Sequence, residues 1–323
     1  MSRTALITGA SGFVGGHLAE RLAGEGWRVR ALVRASSNTA RLAQLGAELH
    51  TGALDDVDAI SAAASGADCV FHLAALTTAP DEATFRRANA EGTRNVALAM
   101  LRAGTRPRRL VYLSSYAACG PAVGGRPRRL SETPAPLTAY GRSKLEGEEA
   151  AREVEAAGIE LLVLRAPAVY GPGDRAFLPV YRMARLALSP VPTGPERRIH
   201  VIYVHDLVTA LVNAATAPAG TFPVAEPVAH RFTDLVDVIG RAVRGKRPLH
   251  VPIPAAVLRG AGALSDRLGL GGGGVFSREK ADEMLAEAWV CDLTGAEALL
   301  PAATPLDTGT AETARWYRTQ GWL

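Results

Sequence analysis

Thr4-Ala5-Leu6-Ile7-Thr8-Gly9-Ala10-Ser11-Gly12-Phe13-Val14-Gly15 is the stretch that decides the fold. The first five residues read as a short buried strand. Three glycines follow, then a helical pattern through Leu18, Leu22 and Ala23. A strand, a glycine-rich turn and a helix make an anion site. Glycines let the backbone approach a pyrophosphate, and the helix N-terminus presents free N–H groups and a positive dipole end. Three glycines alone are a weak signal, and an ordinary strand-to-helix turn is the competing reading. The flanking strand and helix supply the required context.

Working outward, a second strand covers Arg28–Val33 and ends in Arg34-Ala35-Ser36-Ser37. In nucleotide folds of this kind, an acid at the end of the second strand takes the free 2′-hydroxyl of NAD, and an arginine suits the 2′-phosphate of NADP. No acid occurs between Arg28 and Arg41, so Arg34 with Ser36 favours NADP, with NAD as the alternative. A solvated loop arginine is the bland reading. A helix is expected near 41–45, a strand at 47–51, a helix after Asp55 and a buried strand through Asp68-Cys69-Val70-Phe71-His72-Leu73-Ala74-Ala75. His72 reads as a packed strand-end residue. A long helix over 85–103 and a strand over 110–114 follow, the latter closing in Ser114-Ser115-Tyr116. Short apolar strands alternating with helices imply a parallel sheet covered on both faces, with ligands at the carboxyl ends of its strands. Ser115 stands at such an end.

Residues 119–136 are rich in glycine, proline and arginine and read as a functional loop. Then comes Tyr140-Gly141-Arg142-Ser143-Lys144, with Thr138 as N-cap of a helix running to about 157. Positions i and i+4 share a helix face, so the ammonium is expected beside the phenol, lowering a reference pKa of about 10. The helix dipole acts in the same direction. Chance spacing on a solvated face is the competing reading.

The second half has fewer clean repeats. A strand at 160–164 leads to Arg165-Ala166-Pro167-Ala168-Val169-Tyr170-Gly171-Pro172-Gly173-Asp174. Beyond it we expect a helix over 177–188, one strand over 198–204 and a helix to 217. An amphipathic helix at 232–243, an apolar segment at 254–268 and a flexible tip at 271–274 come next. Thr294-Gly295-Ala296-Glu297 is a capping box opening a short helix, and the last helix covers 310–319. Residues 1–165 are expected to form the nucleotide domain and 166–323 mainly a substrate lobe, with parts of 198–217 returning to the first.

Composition excludes several classes. The 323 residues are 48% hydrophobic and 21% charged, as in a soluble globular protein. Of 36 basic residues only Lys144, Lys246 and Lys280 are lysines, which makes Lys144 conspicuous, because arginine does not replace a compact ammonium. A net charge of +4 does not argue for nucleic acid, and the run from Arg102 to Arg109 reads as a solvated helix end and turn. Three scattered cysteines make neither a disulfide framework nor a metal site, and Cys69 reads as core. With no signal peptide and no run of about 20 apolar residues, the expectation is a cytoplasmic protein without a membrane span.

The chain resembles the extended short-chain dehydrogenases/reductases over essentially its whole length. The carrying features are the glycine loop, Phe71-His72-Leu73-Ala74-Ala75, Asn89-x-x-Gly92-Thr93-x-Asn95-Val96, Ser114-Ser115, Tyr140-x-x-x-Lys144, Arg165-x-Pro167-x-x-Tyr170-Gly171-Pro172-Gly173-Asp174, and Tyr203-Val204-His205-Asp206-Leu207. The resemblance implies a doubly wound Rossmann α/β fold with a smaller C-terminal substrate-binding lobe. It implies NAD(P), with Ser115, Tyr140 and Lys144 as the catalytic set. Cofactor contacts are implied at Gly9, Ser11, Gly12, Phe13, Val14, Gly15, Arg34, Ser36, Leu54, Leu73, Ala74, Ala75, Asn89, Ser114, Pro167 and Val169. Substrate contacts are implied at Leu76, Ser115, Tyr116, Ala168 and Tyr170. One departure is Gly52-Ala53-Leu54, where the family often has an acid for the adenine amino group. Relatives commonly form homodimers, for which Val96, Ala97, Met100 and Leu101 are a candidate face. Ala166-Pro167-Ala168 lacks the amide of sugar-nucleotide epimerases, and Tyr116-Ala117 replaces the Asp-Glu of 4,6-dehydratases. Arg34 and the apolar second lobe resemble the dihydroflavonol reductase and 3β-hydroxysteroid dehydrogenase branch. The expectation is a ketone reductase or alcohol dehydrogenase acting on a fairly apolar molecule. A nucleotide-sugar epimerase is the alternative, and a non-catalytic NADP sensor a third reading.

Overall fold

The computed structural model describes residues 2–268 and 276–323; the expected tip at 271–274 lies outside the described residues. Seven strands form one sheet: β1 Thr4–Thr8, β2 Arg28–Val33, β3 Glu48–Thr51, β4 Cys69–His72, β5 Arg109–Ser115, β6 Glu160–Ala166 and β7 Gly220–Pro223. Their order is β7-β6-β5-β4-β1-β2-β3 and every pairing is parallel. The winding reverses beside β1, which has β2 on one side and β4 on the other. Ligands bind outside the strand ends at such a switch point.

Successive strand residues face opposite ways, and both faces are buried. Ile7, Phe71, Val111 and Leu162 pack with Leu18 and Leu22 of helix Phe13–Gly24 and Leu207 and Leu211 of helix Val204–Ala214. Their neighbours Leu6, Val70, Leu110 and Leu161 pack with Ile60 of helix Val57–Ala64 and Val96 and Met100 of helix Gly92–Arg102. Each such side chain contributes about 1.5–3 kcal/mol through burial. The strands therefore read as unbroken apolar runs. His72 is fully buried between Thr8 Oγ1 (2.6 Å) and Thr93 Oγ1 (3.0 Å), and burial, with the Lys144 charge second, pushes its pKa down to about 3. It is a packed strand-end residue, as expected.

A separate core of Tyr170, Tyr181, Tyr203, Leu235, Ile239 and Tyr317 joins helices Leu178–Arg185, Phe232–Arg244 and Leu306–Thr319. Helix Ala255–Arg267 packs on helix Arg278–Leu285. Gly262 permits the approach, since a Cβ there would lie 2.7 Å from the Ser277 carbonyl oxygen.

Several expectations need correction. The helix over 85–103 starts one turn earlier, at Glu82, and passes without a break through a π-helical turn, Arg86–Glu91, into Gly92–Arg102. The strand over 198–204 splits at buried His200. Arg198–Ile199 pairs with His230–Arg231 and Ala288–Trp289, whereas Val201–Tyr203 pairs with Ala168–Tyr170. Thr294 opens no helix, because Asp292 Oδ1 takes its N–H and hydroxyl at 3.1 and 2.6 Å and closes a turn. Arg109 is buried rather than solvated, donating to Ala214 O at 2.8 Å and pairing with Glu160. Val96, Ala97 and Met100 lie in the chain's own core and are unavailable as a dimer face. Strand β7 was not anticipated, since glycine and proline at its ends disguise an edge strand. Among the described residues no helix is long and apolar enough to cross a membrane.

Candidate active site

The carboxyl ends of β1, β2, β4, β5 and β6 open onto one cleft of about 2770 Å³, which Phe276, Met284, Trp289, Trp316 and Trp322 also line. Gly9 has φ +78°, and a Cβ on it would lie 2.7 Å from Ala74 N. A Cβ on Gly15 would lie 2.1 Å from Gly9 O. The glycines thus let helix Phe13–Gly24 start directly on the strand end. Its N-cap, Gly12, offers no side-chain cap, leaving the first-turn N–H groups to face the cleft. A dinucleotide pyrophosphate fits this cradle.

Ser115 ends β5, and its Oγ accepts from Ala117 N at 3.2 Å. Helix Ala139–Ala151 brings Tyr140 across from it. Thr138 is the N-cap, its hydroxyl accepting from Gly141 N at 3.1 Å, which places Tyr140 in the first turn as expected. The half-buried phenol is pushed up to about 12, first by burial and further by Glu283, with the Ser115 hydroxyl pulling it down. The expected depression is therefore not found, because desolvation outweighs the helix field. Lys144 is 2% exposed. Its Nζ donates to Leu113 O at 2.8 Å and sits 4.2 Å above the Tyr112 ring. Burial pushes the ammonium down to about 7, against the opposing pull of Glu148. The spacing does put both residues on one cleft wall, but burial rather than mutual attraction sets their protonation.

Among the residues expected at the cofactor, those of the glycine loop, Arg34, Leu54, Leu73, Ala74, Ala75, Ser114, Pro167 and Val169 line the cleft. Ser36 does not; Ser37 and Asn38 take that place. Asn89 also lies behind the wall. Its side chain bonds both Leu76 N (2.8 Å) and Leu76 O (2.9 Å) and donates to Ser143 Oγ at 2.9 Å. It ties the segment after β4 to the Tyr140 helix. Beyond β3, Asp55 lines the cleft while Asp56 caps helix Val57–Ala64 through Ala59 N at 3.0 Å. Leu76, Tyr116 and Ala168, expected at the substrate, also line the cleft. Tyr170 does not, being packed against Phe177 and Tyr203 in the second core.

Sequence reasoning missed several residues. Arg41 also lines the cleft, its guanidinium resting on Gly16 and paired with Glu20 at 2.5 Å. Seven-residue spacing from Arg34 was the one available signal. His200 lines the cleft, its pKa pushed down to about 4 by burial, its Nδ1 3.5 Å from the Tyr116 hydroxyl. Phe276, Glu279, Glu283, Met284 and Trp289 form the opposing wall, and nothing local in the sequence announces them.

Comparison with known proteins gives a consistent result. The profile of the NAD dependent epimerase/dehydratase family matches residues 5–224. The chain is 33% identical over 323 residues to a ceramide reductase of Caulobacter vibrioides, covering 98% of this chain and 95% of that one. The crystal structure of gox2253 superposes with a TM-score of 0.82 at 26% identity over 100% of both chains. That of MoeE5 with UDP-glucose and NAD gives 0.76 at 25% identity over 98% of this chain and 99% of that one. Strand order, glycine cradle and profile agree: the chain belongs to the NAD-dependent epimerase/dehydratase family of extended short-chain dehydrogenases/reductases.

Proposed function

We propose that the protein is an NADP-preferring carbonyl reductase, or alcohol dehydrogenase in reverse, acting on a fairly apolar ketone. The observation that carries this reading is the pairing of the Tyr140 phenol with the Ser115 hydroxyl in a cleft whose lining includes Leu76, Tyr116, Phe276, Met284 and Trp289. A nicotinamide dinucleotide held by the glycine cradle supplies the hydride. Ser115 hydrogen-bonds the substrate oxygen and orients it. Tyr140 gives that oxygen a proton as the carbonyl is reduced, a role suited to a phenol that stays protonated at neutral pH. Lys144, which is 2% exposed and lines the same cleft, holds the cofactor ribose. Arg34 and Arg41 both line the cleft, and a guanidinium there suits a 2′-phosphate, which supports NADP over NAD. The likeness to ceramide reductase supports a lipid-like ketone.

The likeness to MoeE5 with UDP-glucose and NAD favours a second reading, an NAD-dependent nucleotide-sugar epimerase. One experiment separates them. The purified protein is analysed for bound NAD, then assayed for NADPH consumption with trans-1-decalone and 2-tridecanone and for epimerisation of UDP-glucose. Turnover of a ketone with NADPH and no retained NAD is the expected result. Retained NAD with UDP-glucose epimerisation overturns the reductase. Normal NADPH binding with neither activity, in wild type as in Tyr140→Phe, would leave only a nucleotide sensor.

A further inference from the structure

The first turn of helix Ala139–Ala151 is capped twice. Thr138 satisfies Gly141 N from within the segment, at 3.1 Å. Ala139 N, at the first helical position, has another partner, Glu279 Oε2 at 2.8 Å, reaching from the second lobe. The other carboxylate oxygen, Oε1, accepts from Arg142 Nη2 at 3.0 Å. Ala139 and Arg142 are three apart and share a helix face, so one carboxylate brackets the turn that contains Tyr140. A carboxylate at a helix N-terminus is favoured both by the dipole and by the free N–H. The ion pair to Arg142 alone means little, since the side chains are 36% and 44% exposed and Arg142 also serves Glu82. The bond to the backbone N–H is the consequential one.

Glu279 is itself held from behind. Ser277 caps its helix through Lys280 N at 3.1 Å, and Arg278 N donates to Asp266 Oδ2 of helix Ala255–Arg267 at 3.0 Å. One turn on, Glu283 faces the Tyr140 phenol and Met284 lines the substrate end of the cleft. The wall that meets substrate and the turn that carries the phenol are therefore joined through one side chain.

We infer that Glu279 is a positioning residue, the second-lobe group that fixes the Tyr140 turn in register with the substrate wall. The inference rests on the reading of Tyr140 as the proton donor. Misplacing a reacting group by about 1 Å costs up to about a hundredfold in rate. The loss should fall on kcat, because cofactor is held by the distant glycine cradle.

The test uses the full chain with NADPH and trans-1-decalone. E279A is expected to lower kcat about tenfold, with KM for NADPH within about twofold of wild type. E279Q, which keeps an oxygen for Ala139 N, should recover to within about threefold of wild type. A139P removes the same bond from the donor side at a position where proline suits a helix, and should match E279A. The double variant A139P/E279A should be no slower than either single one. Wild-type kcat in E279A, or in A139P where E279A folds too poorly to bind NADPH, overturns the inference while Y140F remains inactive. Full activity in Y140F overturns the reading beneath it, and this inference with it.

Discussion

Glu148 and Arg165 meet at two points, 2.7 and 2.9 Å apart, with side chains only 2% and 8% exposed. The pair lies under the strand ends that carry the candidate site. Ser114 Oγ donates to Glu148 Oε1 at 2.5 Å, and Arg165 Nη1 lies 3.1 Å from Cys119 Sγ. It locks β5, β6 and the Tyr140 helix together. Removing one partner leaves a buried charge, whereas removing both leaves an apolar gap that can be filled.

Glu148→Ala should therefore destabilise the protein by about 3–5 kcal/mol, and the double change Glu148→Leu with Arg165→Met should lose about 1 kcal/mol or less. Urea unfolding of the three proteins measures both. A single variant as stable as wild type would mean that the pair is solvated in solution.

Tyr140→Phe keeps the ring and removes the proton. Reduction should fall by about 10²–10⁴ in kcat. NADPH binding, read by nucleotide fluorescence, should stay within about twofold.

Lys144 gives a pH signature in stability. Its ammonium is pushed down to about 7 in the folded protein, whereas an unfolded lysine titrates near 10.5. Between those values the unfolded chain binds more protons, so this group makes stability rise with pH. Tyrosine and cysteine titration complicates the range above about pH 9. The difference between wild type and Lys144→Met in urea unfolding should therefore shift in favour of wild type from about pH 7 to pH 9. A difference flat across that range would show that the lysine is charged in the fold.

Arg34→Ala and Arg41→Ala each remove a guanidinium that lines the cleft. The ratio of kcat/KM for NADPH over NADH should fall by about tenfold for each change. Arg34, free of Glu20, should show the larger loss. Equal or better use of NADH by the wild type would end the NADP assignment.

Gly15→Ala places a methyl carbon 2.1 Å from Gly9 O, a separation the backbone can relieve only by opening the loop. We expect a stability loss of about 2–3 kcal/mol. Dinucleotide affinity should drop at least about tenfold, because the N–H cradle and the strand end would no longer be in register. Calorimetric titration with NADPH against thermal unfolding separates the two effects.

What sequence alone determined about this protein was local in origin. The parallel sheet was legible because strands buried on both faces carry unbroken apolar runs, as residues 5–7, 69–71 and 110–113 do. The glycine cradle was legible because close backbone approach leaves room for no other residue. Thr138 and the turn holding Tyr140 and Lys144 followed from capping chemistry and helix spacing. Tertiary structure decided everything that depends on groups far apart in the chain. It buried Arg109, whose partners Ala214 and Glu160 no run of arginines reveals. It turned Asn89 to Leu76 and Ser143 rather than to the cleft, and sent Tyr170 into the second core. It also set the protonation of the residues with which the site begins. Spacing places an ammonium near a phenol, but the free energy of ionisation depends on how much water each group keeps. That is fixed only when segments far apart in the chain pack together, as Leu113 and Tyr112 do around Lys144 and as Glu283 does in raising the Tyr140 phenol.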